Sequence, residues 1–497
     1  MKKAKQQLTK VLTHLINSSF ISGIFPKGLK VSKIIPVYKK DCKKEMTNYR
    51  PISLLPSLSK VFEKAMHNRL YFYLTENSFF DDEQHGFRQN RSTTTAIIQF
   101  VNTVVESIDK GEKVVGIFMD LSKAFDMVSH TTLLKQLVKF GVTGIAFTWF
   151  ESYLKNRFQY IEVTNTKNKW ITKANSKLLK NVCGVPQGSI LGPLLFSCYL
   201  IGMPSCLRNV PRSNLCLYAD DSNIKISAPN VNALEKISAK ELSNIQQFLC
   251  SRNLKINTSK TYFITFKTRQ NSTTLKPNIL IENKLISQLD CVKFLGLKID
   301  ENLSWNSHVD HVIKKINSGL FCLRKLSYFC NSKTLMSVYY AHIHSHISYG
   351  LCAYGATTNQ NLNKILVLQK QAIRVIFNLP ATQSVKKHFS DLKILTVYAL
   401  YVFQSITIVK EGQMLGSIPL KTHCYNTRGN SEAIPDHHNL SFYNKNITYT
   451  GMKFLRYLPL HLKNICQIKK FKKCLKSFLL DMAPYSFDEF YSENNNI

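Results

Sequence analysis

The sequence predicts an α+β fold that is followed by a mainly helical C-terminal region. Residues 114–119 form a continuous apolar run that ends at Asp120, as expected for a central strand covered on both faces. Two further apolar runs flank Asp220-Asp221, which predicts a strand, a tight turn and a second strand. From about residue 304 to 378 the apolar residues recur with the period of a helix. We therefore expect a domain of strands and helices, then a helical one.

The chain carries a large excess of positive charge. Its 497 residues include 66 Lys and Arg against 31 Asp and Glu, a formal net charge of +35. A small domain needs a surplus of only about 2–8 charges for solubility, so we expect a polyanionic partner. Nucleic acid is the first candidate, because neutralised phosphates release counterions. An anionic membrane surface is the weaker alternative, and no apolar run is long enough to span a bilayer.

Cysteine and histidine spacing gives no metal signature. The 13 cysteines are scattered singly without any Cys-x-x-Cys pair, so neither a disulfide framework nor a zinc knuckle is expected. His308 and His311 precede Cys322 at a spacing that could suggest a metal site. However, the apolar residues around them have helical spacing, so surface or core histidines are the better interpretation.

The first elements in order are a polar helix within residues 1–28 and a strand at 31–38. Pro36 lies inside that strand and cannot donate a ladder hydrogen bond, which indicates an edge or a bulge. Residues 48–55 then predict a turn that leads into an amphipathic helix.

Residues 84–93 form a polar and basic segment that precedes a helix at about 94–108. Ser92 or Thr93 should cap this helix, whose N-terminus favours anions. Arg88 and Arg91 beside it make a plausible phosphate site. A solvated basic loop explains the same residues about equally well.

Two later segments carry the remaining candidates. Gly184 and Gly188 interrupt the periodicity just before an apolar helix at 191–200, and either could let the backbone approach a ligand. The Asp220-Asp221 tip fits a plain turn or a divalent cation site equally well on local grounds. Beyond it we expect a helix around 234–249, a strand at 262–266 and a further strand at 292–299.

Several blocks in order resemble the reverse transcriptase of non-LTR (LINE-type) retrotransposons, particularly jockey-like elements. The similarity covers roughly residues 25–300 and is weaker beyond them. The blocks are residues 48–55, 84–91, 118–126, 184–196, 218–221, 257–261 and 293–296.

The resemblance implies a right-hand polymerase fold with fingers, a palm with an antiparallel sheet, and a thumb, followed by a mainly helical C-terminal region. We expect a helical extension at 1–28, fingers and palm at 29–300, a helical thumb at 301–380, and a basic, partly loop-rich region at 381–497.

The resemblance also implies an RNA-directed DNA polymerase. Its palm would bring Asp120 next to Asp220 and Asp221, and these three carboxylates would hold two Mg²⁺ ions, with Mn²⁺ as a possible substitute. Two cations clamp the attacking and leaving oxygens in phosphoryl transfer. Lys260 matches a palm lysine that could protonate pyrophosphate, although a surface lysine is nearly as good an interpretation.

The other site residues follow from the same resemblance. Phe125 would exclude a 2′-hydroxyl and so select dNTPs, whereas a core aromatic is the alternative. The nucleotide-binding set is Arg88, Arg91, Phe125, Gln187 and Gly188. The primer-binding set is Phe294, Leu295 and Gly296, which resemble the primer-grip hairpin of the family.

The expected partners are an RNA template, a DNA primer or target and dNTPs, with no membrane. Relatives carry an N-terminal endonuclease, but Met1 lies close to the first block, so we expect a nuclease to act in trans. The family implies both cytoplasm and nucleus. A catalytically inactive or domesticated nucleic-acid-binding protein is the alternative, and an RNA-templated RNA polymerase is disfavoured by Phe125 and the Tyr218-Ala219-Asp220-Asp221 tip.

Overall fold

We describe a computed structural model. It describes residues 5–39, 42–167, 170–207, 212–271, 276–414, 418 and 437–495. The chain contains both strands and helices up to residue 300. In chain order they are α1 (Lys5–Ser22), β1 (Val31–Tyr38), β2 (Tyr49–Leu54), α2 (Ser57–Glu76), α3 (Thr93–Asp109), β3 (Lys113–Met119), α4 (His130–Lys139), α5 (Gly144–Leu154), β4 (Arg157–Lys167), β5 (Trp170–Asn175), β6 (Leu179–Asn181), α6 (Leu191–Leu200), β7 (Ser213–Tyr218), β8 (Asp221–Ala228), α7 (Val231–Ser251), β9 (Tyr262–Phe266), β10 (Leu280–Ile281), β11 (Lys284–Leu285), β12 (Ser287–Gln288), β13 (Cys291–Phe294) and β14 (Leu297–Asp300).

The described residues after Asp300 contain helices and no strand. These helices are α8 (Asn306–Leu326), α9 (Ser332–Tyr339), a π-helical turn (Tyr340–His344), α10 (Ser345–Ser348), α11 (Leu351–Tyr354), α12 (Asn359–Phe377), α13 (Lys386–Asp391), α14 (Val397–Met414), α15 (Ile447–Arg456), α16 (Leu460–Lys463), α17 (Ile468–Met482) and α18 (Phe487–Asn495).

The central sheet has the order β12-β9-β3-β8-β7, and only the short β12 pairs in parallel. The predicted central strand is confirmed as β3, which pairs with β8 on one side and β9 on the other. Its side chains alternate between two cores: Val114 and Phe118 face one, while Val115 and Ile117 face the other. Both faces of the sheet are therefore covered, which fixes the position of Asp120 at the end of β3.

The helix before this strand begins where the sequence predicts. The Ser92 hydroxyl accepts a hydrogen bond from the Thr95 N–H, and the Thr95 hydroxyl accepts one from the Ser92 N–H. This reciprocal arrangement is a capping box.

A second sheet contains β2, β1, β4 and β5 in that order, with β6 also on β4. The prediction of a turn at 48–55 was wrong, because residues 49–54 are strand β2, which pairs with residues 33–38 of β1. Pro36 lies beyond the segment of β1 that pairs with β4, so it needs no partner on that side. It thus has the edge environment expected for proline.

The expected single strand at 292–299 was also wrong. Residues 291–300 form a hairpin, in which β13 and β14 pair and Phe294 lies opposite Leu297. Leu295 and Gly296 form its turn, and both have positive φ values, 44° and 88°. A one-sided apolar pattern had hidden a reversal of the chain.

The helical part shares one core with the central sheet. Residues from α3, the β13–β14 hairpin and the helices α8 to α18 belong to the same cluster of buried side chains. Of the stretch predicted to be loop-rich, residues 420–436 lie outside the described residues, and residues 447–456 form helix α15. No described helix combines the length and apolar character needed to cross a bilayer.

Candidate active site

The acidic hairpin tip lies at the end of β3. Strands β7 and β8 are antiparallel, with Tyr218 opposite Asp221. Ala219 adopts a left-handed conformation, φ 58°, and leaves Asp220 exposed at the tip. Since Met119 pairs with Ser222 in the β3–β8 ladder, the next residue, Asp120, comes opposite Asp221. The fold thereby brings the three predicted carboxylates to one end of the sheet.

These carboxylates repel one another. The pKa of Asp221 is raised, first by desolvation and then by the negative charges of Asp220 and Asp120. Two cations, Lys39 and Arg50, act in the opposite direction and lower the pKa. Among the described residues, no hydrogen bond or ion pair compensates Asp220 or Asp221. The tip therefore concentrates negative charge that the protein itself does not neutralise.

The segment before α3 contacts the β7–β8 hairpin. The His85 N–H donates to the Leu217 carbonyl at 2.8 Å, and the Leu217 N–H donates to the Glu83 carbonyl at 2.9 Å. A Cβ at Gly86 would collide with the main-chain nitrogen of Ala219, so only glycine allows this close approach. These contacts hold the turn that carries Asp220 in place.

The His85 ring is part of the same support. Its Nδ1 lies 2.8 Å from the Thr95 hydroxyl, and its Nε2 lies 2.5 Å from the Gln99 side-chain oxygen. Burial is the main reason why its pKa is lowered to about 4. His85 is therefore a neutral structural group at physiological pH.

Asn257 orients Asp120, a role that was not predicted although Asn257 begins the family block at 257–261. Its N–H donates to the Asp120 carbonyl at 2.7 Å, and its side-chain amide donates to the Asp120 carboxylate at 3.3 Å. Lys260 follows in the same short turn with an exposed side chain. The turn thus places Lys260 in the neighbourhood of the carboxylates, and its catalytic role stays a prediction.

A second cluster contains the predicted nucleotide-binding residues Phe125 and Gln187. The Gln187 side-chain amide donates to the Asp126 carboxylate at 2.9 Å. The main-chain carbonyl of Gln187 accepts from the Ser53 N–H at 2.8 Å. The Phe125 ring stacks on Phe196 with a centroid separation of 4.5 Å. Both functional side chains are therefore held by neighbours, which limits their rotamers.

Asp126 is a site residue that the sequence interpretation did not single out. Desolvation raises its pKa, and the hydrogen bond from Gln187 and the charge of Lys123 oppose this shift. Gly188, next to Gln187, lies against the main-chain oxygen of Ser53 on β2. The cluster therefore joins the loop before α6 to the second sheet.

Glu63 fixes the beginning of α6 and was likewise missed. Its buried carboxylate accepts from the N–H groups of Ile190 at 2.7 Å and Leu191 at 3.3 Å, and from the Ser59 hydroxyl at 2.8 Å. A carboxylate at a helix N-terminus satisfies donors that have no partner within the helix. Glu63 thereby positions the loop that carries Gln187 and Gly188.

The predicted triphosphate ligands Arg88 and Arg91 have partners within the protein. Arg88 is half-buried, donates to the Asp81 carbonyl at 2.5 Å, and lies over the Phe80 ring at 5.2 Å. Arg91 contacts the Asp82 carboxylate at 3.3 Å. The cations whose charges act on Asp221 are instead on the second sheet and the segment after β1.

Of the predicted primer-binding residues, Phe294 is buried against Phe100 and Phe118, with ring centroids 5.5 and 5.4 Å away. Its side chain supports the hairpin and is not presented at the surface. Leu295 is half-buried and Gly296 is exposed at the turn. Of the three residues, Leu295 and Gly296 at the turn are the accessible ones, and their role in primer binding stays a prediction.

The described residues contain no group of three or more His, Cys, Asp or Glu side chains already arranged to hold a metal ion. The chemistry of the tip nevertheless suits a hard dication. Three carboxylates lie at one end of the sheet, desolvation and then the charges of its neighbours raise the pKa of Asp221, and oxygen ligands are what Mg²⁺ prefers. Asp120, Asp220 and Asp221 are thus the side chains that would hold such ions.

The central sheet with an acidic hairpin at one end is the palm of a right-hand polymerase fold. A family model described as "Reverse transcriptase (RNA-dependent DNA polymerase)" matches residues 37–299, more than half of the chain. The chain therefore belongs to the reverse transcriptase family.

Similar proteins confirm the resemblance to jockey-like non-LTR elements. The chain is 29% identical over 400 residues to an RNA-directed DNA polymerase from mobile element jockey of Drosophila melanogaster, covering 78% of this chain and 42% of that protein. It is 29% identical over 380 residues to a probable RNA-directed DNA polymerase from transposon BS of the same species, covering 74% and 40%. The jockey protein of Drosophila funebris is 27% identical over 395 residues, covering 77% and 41%. The chain thus spans about two fifths of the length of these relatives.

Proposed function

We propose that this chain is an RNA-directed DNA polymerase of a non-LTR retrotransposon, which extends a primer on an RNA template with dNTPs. The observation that carries the proposal is the strand register, which pairs Met119 with Ser222 and so brings Asp120, the next residue, beside the hairpin tip that carries Asp220 and Asp221. Membership of the reverse transcriptase family supports the assignment. The net charge of +35 supports a nucleic-acid substrate.

In this proposal Asp120, Asp220 and Asp221 hold two Mg²⁺ ions, with Mn²⁺ as a possible substitute. When bound, such ions supply electrophilic stabilisation of the attacking 3′-oxygen and the leaving pyrophosphate. Asn257 keeps the Asp120 carboxylate in one orientation through its amide. The protein thereby fixes the geometry of the site before substrates arrive, which lowers the cost of reorganisation during the reaction.

The second cluster binds the incoming nucleotide. Phe125, held by Phe196, occupies the space in which a ribose 2′-hydroxyl would lie, and Gln187, held by Asp126, lines the nucleotide. We propose Lys39 and Arg50 as contributors to triphosphate binding, because their charges already act on Asp221. Lys260 is the proposed proton donor to pyrophosphate. Supply of a primer by an endonuclease acting in trans, and presence in both cytoplasm and nucleus, stay predictions.

Primer extension tests the proposal directly. A DNA primer annealed to an RNA template is incubated with Mg²⁺ and dNTPs, with the wild type or an Asp220→Asn variant. We expect extension by the wild type alone, and little extension when rNTPs replace dNTPs. Equal extension by both proteins would exclude this site, and efficient use of rNTPs would favour an RNA polymerase instead.

The charge of the chain keeps a second candidate open, a nucleic-acid-binding protein without polymerase activity. It predicts RNA binding that weakens steeply with salt and no extension under any of these conditions. The same assay, run beside a filter-binding measurement, separates the two candidates.

A further inference from the structure

Helix α4 begins beside the loop that carries Gln187. We call this loop, residues 184–188 immediately before α6, the α6 loop. The first residue of α4, His130, is half-buried, and its ring Nε2 lies 2.8 Å from the main-chain oxygen of Gly184. No step of the proposed chemistry uses this histidine.

The ring of His130 is the donor in this contact. A carbonyl oxygen only accepts hydrogen bonds, so Nε2 carries a proton. Burial is the main reason why the pKa of His130 is lowered, the Gly184 carbonyl opposes this shift, and the charge of Arg157 adds to it. The ring is therefore neutral at physiological pH, and its single proton is on Nε2.

Contacts outside the α6 loop fix the start of α4. The Ser129 hydroxyl accepts from the Thr132 N–H at 3.3 Å and so caps the helix. The Ser129 N–H donates to the hydroxyl of buried Tyr199 at 3.3 Å, and this hydroxyl donates to the Arg252 carbonyl. These contacts join the start of α4 to α6 and to the end of α7, so His130 is held in a fixed position.

The α6 loop lies along residues 125–130, which we call the facing segment. The Val185 N–H donates to the Phe125 carbonyl at 2.9 Å. The Gly184 N–H donates to the Val128 carbonyl at 2.8 Å. The proposed sugar-selecting residue and the loop that lines the nucleotide are therefore joined through their main chains.

Gly184 is held closely at one end of this arrangement. It has φ +82°, and a Cβ there would lie 2.7 Å from the main-chain oxygen of Asp126, so only glycine allows the approach. Its N–H and its carbonyl are both hydrogen-bonded to the facing segment, the carbonyl to His130. At the other end the Gln187 side chain donates to Asp126. Because the loop is fixed at both ends, few conformations remain open to it.

Two thiols near His130 allow movement of the α6 loop to be measured. His130, Cys183 and Cys250 line the same cavity of about 550 Å³. Cys183 is half-buried and directly precedes Gly184, whereas Cys250 is exposed near the C-terminus of α7. Only Cys183 is attached to the loop, so its reactivity relative to that of Cys250 reports the position of the loop.

We propose that His130 is a positioning residue of the nucleotide site, which holds the α6 loop against Phe125 and so strengthens the selection of dNTPs over rNTPs. The proposal rests on the proposed polymerase function, since it takes the incoming nucleotide as the ligand. Without the His130 contact, Gln187 is free to move away from Phe125, and a ribose 2′-hydroxyl is excluded less strictly. His130 acts through Gly184 and does not touch the reacting atoms.

A pair of amide substitutions tests the role of the Nε2 donor. Glutamine carries its amide nitrogen at the ε position, whereas asparagine carries it one bond nearer to the main chain. His130→Gln should therefore keep the hydrogen bond to Gly184, while His130→Asn and His130→Leu should lose it. Thr131→Val is the control, because Thr131 lines the same cavity and its hydroxyl contacts Ser129 instead of the loop. Thermal unfolding establishes that each variant is folded.

Alkylation of Cys183 measures the position of the loop without catalysis. Each protein is treated with a limiting amount of N-ethylmaleimide, and mass spectrometry compares the labelling rates of Cys183 and Cys250. The ratio of the two rates should rise about 5–10-fold in His130→Asn and His130→Leu, as expected for the loss of one hydrogen bond. It should stay at the wild-type value in His130→Gln and Thr131→Val.

Single-nucleotide primer extension measures the selection of the sugar. The ratio of kcat/KM for a dNTP to kcat/KM for the matching rNTP should fall about 5-fold in His130→Asn and His130→Leu, the same scale as the loss of one hydrogen bond. The KM for the primer–template hybrid should not change. A general loss of stability would not lower the sugar ratio alone, and His130→Gln should restore it.

Equal Cys183 reactivity in His130→Asn and the wild type would overturn the proposal. A His130→Gln variant as impaired as His130→Asn would also overturn it, because the donor would then not be the cause. Unchanged sugar selection beside a more reactive Cys183 would show that the loop is anchored without effect on the nucleotide, and the proposal would fail. If no protein extends a primer while the alkylation results are as expected, the polymerase function fails and the anchoring of the loop by His130 stands.

Discussion

Two groups of acidic residues in this molecule have opposite surroundings. At the hairpin tip, Asp220 and Asp221 face Asp120, and no described protein donor compensates the first two. At the C-terminal end of α3, the Asp109 carboxylate accepts from the N–H groups of Asn439, at 3.0 and 3.1 Å, and Leu440, at 2.8 Å. The first arrangement leaves charge available to a ligand, whereas the second uses the same chemistry to attach a distant segment.

Helix α3 makes further hydrogen bonds to the same distant segment. We call the hydrogen bonds between α3 and residues 439–447 the α3 junction. The Asn102 side-chain oxygen accepts from the Ile447 N–H at 3.0 Å, and the Glu106 carboxylate accepts from the Asn446 amide at 3.4 Å. Half-buried Lys445 donates to the carbonyls of Asn302 and Leu303 beside it. The difference teaches that a hydrogen-bonded acid can serve assembly, whereas adjacent acids held together at a strand end concentrate negative charge that a ligand can neutralise.

The largest effect is expected at the tip. Asp220→Asn should lower the rate of primer extension by about 10²–10³-fold or more, the scale on which one electrostatic contact to a transition state acts. Its thermal midpoint should equal or exceed that of the wild type, because a like charge beside Asp221 is removed. Single-turnover extension and differential scanning calorimetry measure the two effects. Asp481→Asn, an exposed acid on α17, is the control, and a large drop in midpoint for Asp220→Asn would contradict the comparison.

At the α3 junction we expect the opposite result, a loss of stability without a loss of activity. Asp109→Ala removes an acceptor from two main-chain donors and should lower the free energy of unfolding by about 2–3 kcal/mol, as for hydrogen bonds to charged groups. Extension per folded molecule should be retained. Urea unfolding measures the change, with Asp310→Ala on the exposed face of α8 as the control. Loss of activity without loss of stability would show that the junction takes part in the reaction.

A buried lysine in the palm makes the stability of the protein depend on pH. Lys225 on β8 is 4% exposed, and burial is the main reason why its pKa is lowered to about 8 from 10.5. The unfolded chain therefore binds more protons between these pKa values, so wild-type stability rises with pH across that window. Below it the full penalty applies, at most about 3 kcal/mol.

Lys225→Met should accordingly raise the free energy of unfolding by about 2 kcal/mol at pH 7. The gain should shrink as the pH rises from 8 to 10.5, because the wild-type lysine is then neutral in the folded state and charged in the unfolded chain, and it should be smallest above 10.5, where the lysine is neutral in both states. Urea unfolding at several pH values measures this, with exposed Lys240→Met as the control. A gain that does not depend on pH would mean that better packing, and not removal of a buried charge, is its cause.

The sequence predicted correctly those elements that depend on residues close together in the chain. The alternating burial of β3 followed from one apolar run, and the start of α3 followed from Ser92. Residues 49–54 were mistaken for a turn because β2 gains its strand character from pairing with β1. The local pattern predicted one strand at 292–299 because the turn at Leu295 has no Asn-Gly type signal, and only the family resemblance implied a hairpin there.

The candidate site was predicted only as far as the family resemblance reached. It implied that Asp120, Asp220 and Asp221 lie together, but no periodicity could bring such distant positions to one place. Asn257 and Glu63 were missed because each acts through a hydrogen bond to a residue more than 100 positions away in the chain. The junction of α3 with residues 439–447 was beyond prediction for the same reason, with partners more than 300 positions apart.

The smallest expected effect separates two arginines that the sequence could not rank. Arg50 is exposed on β2 and its charge acts on Asp221, whereas Arg88 donates to the Asp81 carbonyl and lies over Phe80. Arg50→Gln should therefore raise KM for dNTPs about 10-fold, equivalent to about 1.4 kcal/mol of binding, with an unchanged thermal midpoint. Arg88→Gln should lower the midpoint and change KM less. Steady-state extension kinetics and calorimetry on both variants decide the matter: the reverse result would place Arg88 on the triphosphate, as the family resemblance implies, and would leave Arg50 with only a long-range influence on the carboxylates.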